Sequence, residues 1–204
     1  MIEKKIFRNQ VREHLISKMR SGELTDGQLV SLAALARELD VSVTPIREAL
    51  TQLEQSHVVI GVPNRGFMIP KPSAQEAKNV YELIAALEAL SIQNSKVSDT
   101  LLKKLKTKAM QFSNAKEGLA RINADMDFHK ALVATYDNPI AIQTIEDLKT
   151  RVFFYEKRFM DLTDHQQSVT DHDNIIAALE NGNRNQAADI VQKNWLQILT
   201  HINL

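Results

Sequence analysis

The chain has 204 residues, 44% of them hydrophobic and 25% charged, and its 25 Lys and Arg residues balance its 25 Asp and Glu residues. This length suffices for one or two domains with a hydrophobic core, and the lack of cysteine excludes a disulfide framework and a thiolate metal site. No apolar run approaches the roughly 20 residues of a membrane helix and the charged N-terminus is unlike a signal peptide, so we expect a cytoplasmic protein that does not contact a membrane.

The N-terminal part begins with two predicted helices. The first covers residues 6–21, and its apolar positions recur with helical spacing: Val11, Leu15, Ile16 and Met19. The second is shorter and is predicted from Leu29 to about Leu39. Its apolar face would contain Leu29, Leu32, Leu35 and Ala36.

A third helix is predicted after a tight turn at Val41. Ser42 is its N-cap candidate, with Thr44 as an alternative start, and Pro45 stands in the first turn, where proline is best tolerated. Its buried stripe would contain Ile46, Ala49, Leu50 and Leu53, which leaves Ser42, Val43, Thr44 and Arg47 pointing outward. Small hydroxyls and an arginine at an exposed helix N-terminus suit contacts with base edges in the DNA major groove.

Two β-prone runs follow, residues 58–62 and 67–70, and the turn signal between them spans residues 63–66 with Arg65 near its tip. Helices around a tight turn, followed by an arginine-tipped hairpin, predict a winged helix-turn-helix. In that fold the wing lies along the DNA backbone or in the minor groove. The alternative, a small α+β unit with solvated arginines, is disfavoured because the features occur together in the expected order.

Residues 74 to the C-terminus are helical in pattern almost throughout. Ser73 and Glu76 form a capping-box pattern, and the helix behind them would bury Val80, Leu83, Ile84, Leu87 and Leu90. Another helix begins near Leu101, and further helices are predicted at about 119–135, 138–160, 165–181 and 184–202. The predicted fold is therefore mainly α: a winged helix-turn-helix of three helices and a β-hairpin in residues 1–72, then an all-α antiparallel bundle in residues 73–204. Periodicity does not tell whether such a bundle is structural, dimerises or holds a ligand.

Ionisable residues in the bundle suggest one chemistry. Asp125 and His129 stand one helical turn apart, so they share a face, and a carboxylate with an imidazole can supply two ligands to a divalent metal. His172 lies on a later helix with an apolar stripe. Spacing alone favours an ordinary surface Asp–His pair and an exposed histidine. A metal-dependent hydrolase built on these residues is an alternative, although no further acidic or basic residue has a spacing that indicates a catalytic acid or base beside them.

The predicted winged helix-turn-helix of residues 1–72, called the head below, carries a long and specific motif. Residues 35–50 read LARELDVSVTPIREAL and residues 64–67 read NRGF, and this resembles the GntR family of bacterial transcription regulators, whose pattern is LA..LGVSRTPVREAL followed by NRG. The resemblance implies that operator DNA is contacted by Arg37, Ser42, Val43, Thr44 and Arg47 of the helix-turn-helix and by Arg65 and Gly66 of the wing. Val43 stands where the family usually has arginine, so the operator sequence should not be transferred from relatives.

The bundle carries a looser motif: D..FH..L…NP over residues 125–139 and H..I..AL..G over residues 172–182. It resembles the FCD ligand-binding domain that follows GntR heads in the branch named for the fatty-acid regulator. In that family an aspartate and three histidines hold a divalent metal, usually Zn²⁺ or Ni²⁺, beside which an organic acid binds. The resemblance assigns these positions to Asp125, His129, His172 and Asn194, the last standing where a histidine is expected. An amide oxygen is a weaker and harder ligand, so lower Zn²⁺ affinity or a harder ion is expected.

A second departure concerns the effector. Ile84 stands where many relatives have an arginine, so Arg151 is the predicted partner of an effector carboxylate through a bidentate fork. A solvated or helix-bridging role for Arg151 remains open. His165 and His201 match no position of the pattern and are predicted to be surface residues.

Together these features predict a homodimeric, ligand-responsive regulator and not an enzyme. Its two heads would bind half-sites of a palindromic, double-stranded operator, and a small carboxylate in the bundle would change the arrangement of the heads. A regulator whose C-terminal domain only dimerises is the other alternative, with Asn194 and Ile84 as signs of a lost site. Residues 1–70 contain nine Lys or Arg against eight Asp or Glu, which predicts weak non-specific binding and a need for two heads.

Overall fold

The computed structural model describes residues 2–55, 57–71, 73–159 and 165–201. The chain divides into two compact units, an N-terminal unit of Met1–Pro72 and a C-terminal unit of Ser73–Leu204. Within those described ranges, none of the helices has the length and apolar character required to span a membrane.

The N-terminal unit contains three helices and a small sheet, which confirms the predicted winged helix-turn-helix. The helices are α1 (Ile2–Ser21), α2 (Leu32–Glu38) and α3 (Val43–Gln55), and the strands are β1 (Leu29–Val30), β2 (Ile60–Val62) and β3 (Gly66–Met68). The sheet is antiparallel, with β3 between β1 and β2. Of the three predicted apolar stripes, those of α1 and α3 are buried and form the core of this unit. In the stripe predicted for α2, Leu35 and Ala36 are buried, whereas Leu29 is exposed.

One predicted boundary is wrong, and the sheet explains why. Leu29 begins a strand and not a helix. Leu29 and Val30 pair with Met68 and Phe67 of β3, on the side of β3 opposite β2. Helix α2 begins only at Leu32. Its first turn is capped by the Oγ atom of Ser31, which accepts a hydrogen bond from the backbone nitrogen of Ala34 at 3.2 Å.

The wing turn uses residues that tolerate the left-handed region. Asn64 has a φ of 60° and Gly66 a φ of 96°, which only Gly and, less often, Asn adopt at little cost. At the other side of the hairpin, the backbone nitrogen of Gly61 donates a hydrogen bond of 2.8 Å to Oε1 of Glu54. This bond attaches β2 to the last turn of α3.

The C-terminal unit is all-helical in its described residues, as predicted. It consists of α4 (Ala74–Asn94), α5 (Asp99–Ser113), α6 (Leu119–Leu132), α7 (Pro139–Phe159), α8 (His165–Glu180) and α9 (Arg184–Leu196), followed by a 3₁₀ turn at Gln197–Thr200. Helix α4 packs on α7 and α9, and α5 packs on α6 and α8. As expected, Oγ of Ser73 caps α4 by accepting from the backbone nitrogen of Glu76.

The buried face of α4 differs from the predicted stripe. Val80 and Ile84 are buried, but Leu83 and Leu90 are 48% and 43% exposed. Their place is taken by Tyr81 and by a carboxylate, Glu88, which is completely buried. A charge can occupy the core only if it is paired, and Glu88 is paired as described below.

Candidate functional site

The predicted DNA-contacting residues lie on the surface of the N-terminal unit. Six of them are exposed, and Gly66 in the wing is half-buried; the exposed six are Arg37, Ser42, Val43, Thr44, Arg47 and Arg65. This follows from the amphipathic pattern of α3, because burying its apolar stripe turns the polar side of the helix outward.

Two of these cations share a groove between α3 and the wing. Arg47 and Arg65 both line it, together with Asn64, Gly66 and the carboxylate of Glu54. The other predicted contacts, on α2 and at the start of α3, are not among the residues that line this groove. Glu54 was not predicted, since it follows the family motif and carries the charge opposite to the one sought for DNA binding.

The C-terminal unit brings Asp125, His129 and His172 together. Asp125 and His129 come from α6 and His172 from α8, and one potential ligand atom of each lies within 4.8 Å of the others. Oδ1 of Asp125 lies 3.3 Å from Nε2 of His172 and 3.9 Å from Nε2 of His129. Both histidines are completely buried, so neither is the exposed surface residue that spacing alone favoured.

Three of the four histidine ring nitrogens of this cluster have no hydrogen-bond partner among the described residues. Across the part of the chain that the structure describes, Nε2 of His129 and both ring nitrogens of His172 are buried without a hydrogen bond of good geometry. Buried polar atoms normally have a partner, and exceptions point to an ion or water. One carboxylate oxygen and two imidazole nitrogens are a donor set that divalent transition metals accept. The residues present therefore fit a metal ion.

Aromatic rings hold the two imidazoles in place. Phe128 stacks on His172 with 3.8 Å between ring centroids and 15° between planes, and Phe112 lies at 4.7 Å on another side of the same ring. The only tryptophan, Trp195, lies 4.3 Å from His129. Its position makes it an intrinsic fluorescent reporter of the cluster.

Glu88 lies behind the cluster and contacts three groups. Its Oε2 is 2.7 Å from Nδ1 of His129 and accepts a 2.8 Å hydrogen bond from Nε1 of Trp195, while its Oε1 lies 2.8 Å from Nζ of Lys149. Burial would raise the pKa of Glu88, but the charges of Lys149 and His129 outweigh it and lower that pKa to about 2. Glu88 is therefore an ionised carboxylate inside the core.

The cluster residues also influence each other's protonation. Burial lowers the pKa of His129, but the adjacent Glu88 and Asp125 raise it more, so that the net shift is upward. For Asp125, the attraction of the two histidines exceeds the effect of burial and lowers the pKa. Burial dominates at His172 and lowers its pKa despite the neighbouring Asp125.

A small cavity adjoins the cluster. Its walls come from α5 to α9 and the 3₁₀ turn: Phe112, Arg121, Ile122, Asp125, Glu156, His165, Ser168, Asn194, Trp195, Gln197 and Ile198. Asn194 and Asp125 thus line the same cavity, and Nδ2 of Asn194 donates a 3.1 Å hydrogen bond to Oδ2 of Asp171. Its predicted role as a fourth metal ligand stays a prediction.

The predicted effector cation lies elsewhere. Arg151 pairs with Glu76 and is not among the residues that line the cavity. Arg121, one turn before Asp125 on α6, does line it, and its Nε is buried with no hydrogen-bond partner in the described ranges. The sequence offered no motif for Arg121, because it lies outside the family pattern.

Two more ionisable side chains face the cavity. His165 is half-buried, and its ring lies edge-on to that of Phe112 with 4.7 Å between the ring centroids. Burial lowers the pKa of His165. The prediction of a surface histidine is therefore wrong for His165, whereas His201 is exposed as predicted. Burial raises the pKa of Glu156 to about 7, even though the hydroxyl of Tyr81 donates a 2.6 Å hydrogen bond to its Oε1.

Both units match family models. Residues 7–69 match the model described as "Bacterial regulatory proteins, gntR family", and residues 79–195 match that of the FCD domain. Among curated proteins, the chain is 26% identical over 199 residues to the HTH-type transcriptional regulator McbR of Escherichia coli K12, covering 91% of this chain and 89% of the relative. It is 28% identical over 181 residues to the Nta operon transcriptional regulator of Aminobacter aminovorans, covering 85% of each.

Solved structures share the fold. The crystal structure of a putative GntR transcriptional regulator from Rhodococcus sp. RHA1 superposes with a TM-score of 0.80 at 19% identity and covers 96% of both chains. The structure of McbR from E. coli gives a TM-score of 0.75 at 24% identity and covers 97% of this chain and 99% of that one.

Proposed function

Because the chain belongs to the GntR family of bacterial regulatory proteins and carries an FCD domain, it is a DNA-binding transcription regulator, and we propose that a small carboxylate bound beside a divalent metal in the C-terminal unit modulates its affinity for operator DNA. The single observation that supports the effector site best is the buried cluster of Asp125, His129 and His172. Its Asp125 lines a cavity that is also lined by Arg121, whose Nε has no hydrogen-bond partner among the described residues.

DNA recognition would use the surface of α2, α3 and the wing. Ser42, Thr44 and Arg47 would approach base edges or phosphates in the major groove, and Arg65 would contact the backbone beside it. The balanced charge of the N-terminal unit supports binding as a homodimer, because each head alone has little electrostatic attraction for DNA. A two-fold dimer implies a palindromic operator.

The metal would be held by Asp125, His129 and His172, with Asn194 as a further oxygen ligand next to them. When bound, the ion supplies positive charge at the cavity wall, and this charge attracts an anionic ligand. Two imidazole nitrogens favour Zn²⁺ or Ni²⁺, whereas an amide oxygen in place of a third imidazole moves the preference toward a harder ion.

The carboxylate would be bound by Arg121. A guanidinium offers paired donors that match a carboxylate, and Arg121 already faces the cavity with a donor unused. Glu156 would not repel such a ligand strongly near neutral pH, since burial raises its pKa to about 7. Arg151, the cation predicted from the sequence, is the alternative partner if its ion pair with Glu76 opens.

The energetic requirement on the effector is definite. The change in operator affinity cannot exceed the difference between the affinities of the effector for the two states of the protein. A tenfold change in DNA binding needs about 1.4 kcal/mol of such a difference, which a pair of charge-assisted hydrogen bonds can supply.

A thermal-shift screen of divalent metals and short organic acids tests the site. We expect Zn²⁺ or Ni²⁺ to raise the unfolding temperature of chelator-treated wild type, and one class of acid to raise it further only in the presence of metal. The His129→Ala variant should show neither effect. If no metal and no acid stabilises the wild type, the C-terminal unit has no effector site of this kind and a purely dimerising role is favoured.

A further inference from the structure

Three buried donors compete for the two oxygens of Glu88. Nζ of Lys149 forms an ion pair with Oε1 at 2.8 Å, and Nδ1 of His129 and Nε1 of Trp195 share Oε2 at 2.7 and 2.8 Å. All four residues are buried. An indole nitrogen and an ammonium group are donors only, so Oε1 and Oε2 must both be acceptors. Glu88 therefore acts as an acceptor in every one of these contacts.

The third contact determines the state of the imidazole. An ionised carboxylate accepts hydrogen bonds and cannot donate them, so the nitrogen of His129 that faces Glu88 must carry a hydrogen. Oε1 lies against the ammonium group of Lys149 and Oε2 accepts from the indole of Trp195, which are the contacts of an ionised carboxylate. In neutral His129 the single hydrogen then lies on Nδ1, and the lone pair lies on Nε2, which points toward Asp125.

From this arrangement we infer that the buried carboxylate of Glu88 is the positioning group of the metal site, fixing neutral His129 in the tautomer whose Nε2 lone pair faces Asp125 and His172. The inference rests on the metal site proposed above. A carboxylate behind a metal-binding histidine is a known means of orienting the ring and raising its basicity. Lys149 lies against the other oxygen, Oε1, and supplies the counter-charge of the buried carboxylate.

The role of Lys149 makes the inference testable. In Glu88→Gln the side chain has one acceptor oxygen and one NH₂ donor. A charged Lys149 can only donate, so it claims the oxygen, and the NH₂ takes the place of Oε2, where it faces His129 and leaves Nε1 of Trp195 without that acceptor. Nδ1 of His129 must then accept, which moves the imidazole hydrogen to Nε2 and blocks the nitrogen that faces the metal position.

Removing the lysine should reverse this effect. In the double variant Glu88→Gln, Lys149→Met, the amide oxygen is free to accept from His129 and Trp195, so the hydrogen returns to Nδ1. The double variant also replaces a buried ion pair with neutral groups, which is often tolerated or stabilising. Lys149→Met alone keeps the carboxylate opposite His129 and is the matched control.

The experiment compares wild type, the two single variants and the double variant as full-length proteins. Metal-free samples at alkaline pH are examined by ¹⁵N–¹H correlation NMR of the histidine rings, which distinguishes protonated from unprotonated ring nitrogens. Affinity for Zn²⁺ and Ni²⁺ is measured by competition with a chromophoric chelator, and circular dichroism with thermal unfolding reports folding.

We expect protonated Nδ1 in wild type, in Lys149→Met and in the double variant, and protonated Nε2 in Glu88→Gln alone. Metal affinity should fall about 10- to 100-fold in Glu88→Gln and recover to within about threefold of wild type in the double variant. The inference is overturned if the Glu88→Gln variant and the double variant lose metal affinity equally, or if metal affinity simply follows the unfolding temperature across the variants. Glu88 would then have only a structural role.

The metal proposal can fail separately. If the wild type binds neither ion while the tautomers change as expected, the positioning of His129 stands and the metal site does not. If the wild type binds metal but Glu88→Gln keeps both the wild-type tautomer and the wild-type affinity, the metal site stands and the positioning role is lost.

Discussion

Nδ1 of His129 lies 2.7 Å from Oε2 of Glu88, in a contact between two side chains that have no exposure to solvent. The contact joins α4 to α6 and leaves Nε2, the other nitrogen of the same ring, facing Asp125. Among the described residues this second nitrogen has no hydrogen-bond partner. One nitrogen of the ring is therefore fixed by the protein, and the other is available to a ligand.

Arg47 and Arg65 should differ in what they contribute to DNA binding. Arg47→Ala on α3 should weaken operator binding by about 1–3 kcal/mol and reduce discrimination between operator and unrelated DNA. Arg65→Ala in the wing should weaken binding to all sequences and reduce the salt slope by about 1. Fluorescence anisotropy at several salt concentrations measures both. Lys104→Ala, an exposed cation on α5, is the control, and an equal loss in it would remove the special role of the groove.

Glu54 places a negative charge in the groove that Arg47 and Arg65 line. Glu54→Gln removes the charge but keeps an oxygen that can accept from the backbone nitrogen of Gly61, so operator binding should strengthen severalfold at low salt and less at high salt. Glu54→Ala also removes the acceptor and should cost the N-terminal unit about 1 kcal/mol of stability. Unchanged DNA affinity in Glu54→Gln would mean that DNA does not enter this groove.

Glu156 should make the C-terminal unit less stable as pH rises. Its folded pKa of about 7 lies above the ordinary value of 4.5, so below pH 4.5 the protonated group carries no penalty, and the penalty grows as pH rises from 4.5 to about 7. The half-buried side chain limits this loss to the order of 2 kcal/mol. Chemical denaturation should therefore show that Glu156→Gln is stabilised relative to wild type at pH 8 but not at pH 4.5. An equal stability difference between Glu156→Gln and wild type at both pH values would contradict the upward shift in the pKa of Glu156.

Arg121 and Arg151 can be separated by their effects on carboxylate binding. Arg121→Ala should lower the affinity for a stabilising organic acid at least tenfold, since Arg121 is the only arginine among the described residues that line the cavity. Arg151→Ala should lower the stability through loss of the Glu76 pair and leave acid affinity nearly unchanged. Isothermal titration calorimetry with metal-loaded protein measures both. The opposite ranking would restore Arg151 as the effector residue.

The parts that sequence predicted well depend on local patterns. The α3 stripe, the wing turn and the capping by Ser73 each depend on residues a few positions apart, where periodicity and turn chemistry apply. The helical pattern wrongly includes Leu29, because the strand partner of Leu29, Met68, is distant in sequence. Nothing within a helical window reveals such a pairing.

The parts that sequence missed depend on long-range charge pairing. Glu88 lies on the buried face of α4, where a periodicity argument expects an apolar side chain, and its partners Lys149 and Trp195 come from α7 and α9. The one signal in the sequence for this buried carboxylate is its position four residues after Ile84, which places Glu88 on the same face of the helix as that buried residue. Asp125, His129 and His172 were found through a family motif, and spacing alone pointed the other way.

The most direct test of the regulatory account is an operator titration by the full-length protein in four conditions: metal-free, with Zn²⁺ or Ni²⁺, with the stabilising acid, and with both. We expect the acid to change the operator Kd at least tenfold only when metal is present, and the His129→Ala protein to bind operator with no response to either. An operator affinity that stays the same in all four conditions, in a wild type that binds metal and acid, would contradict the account.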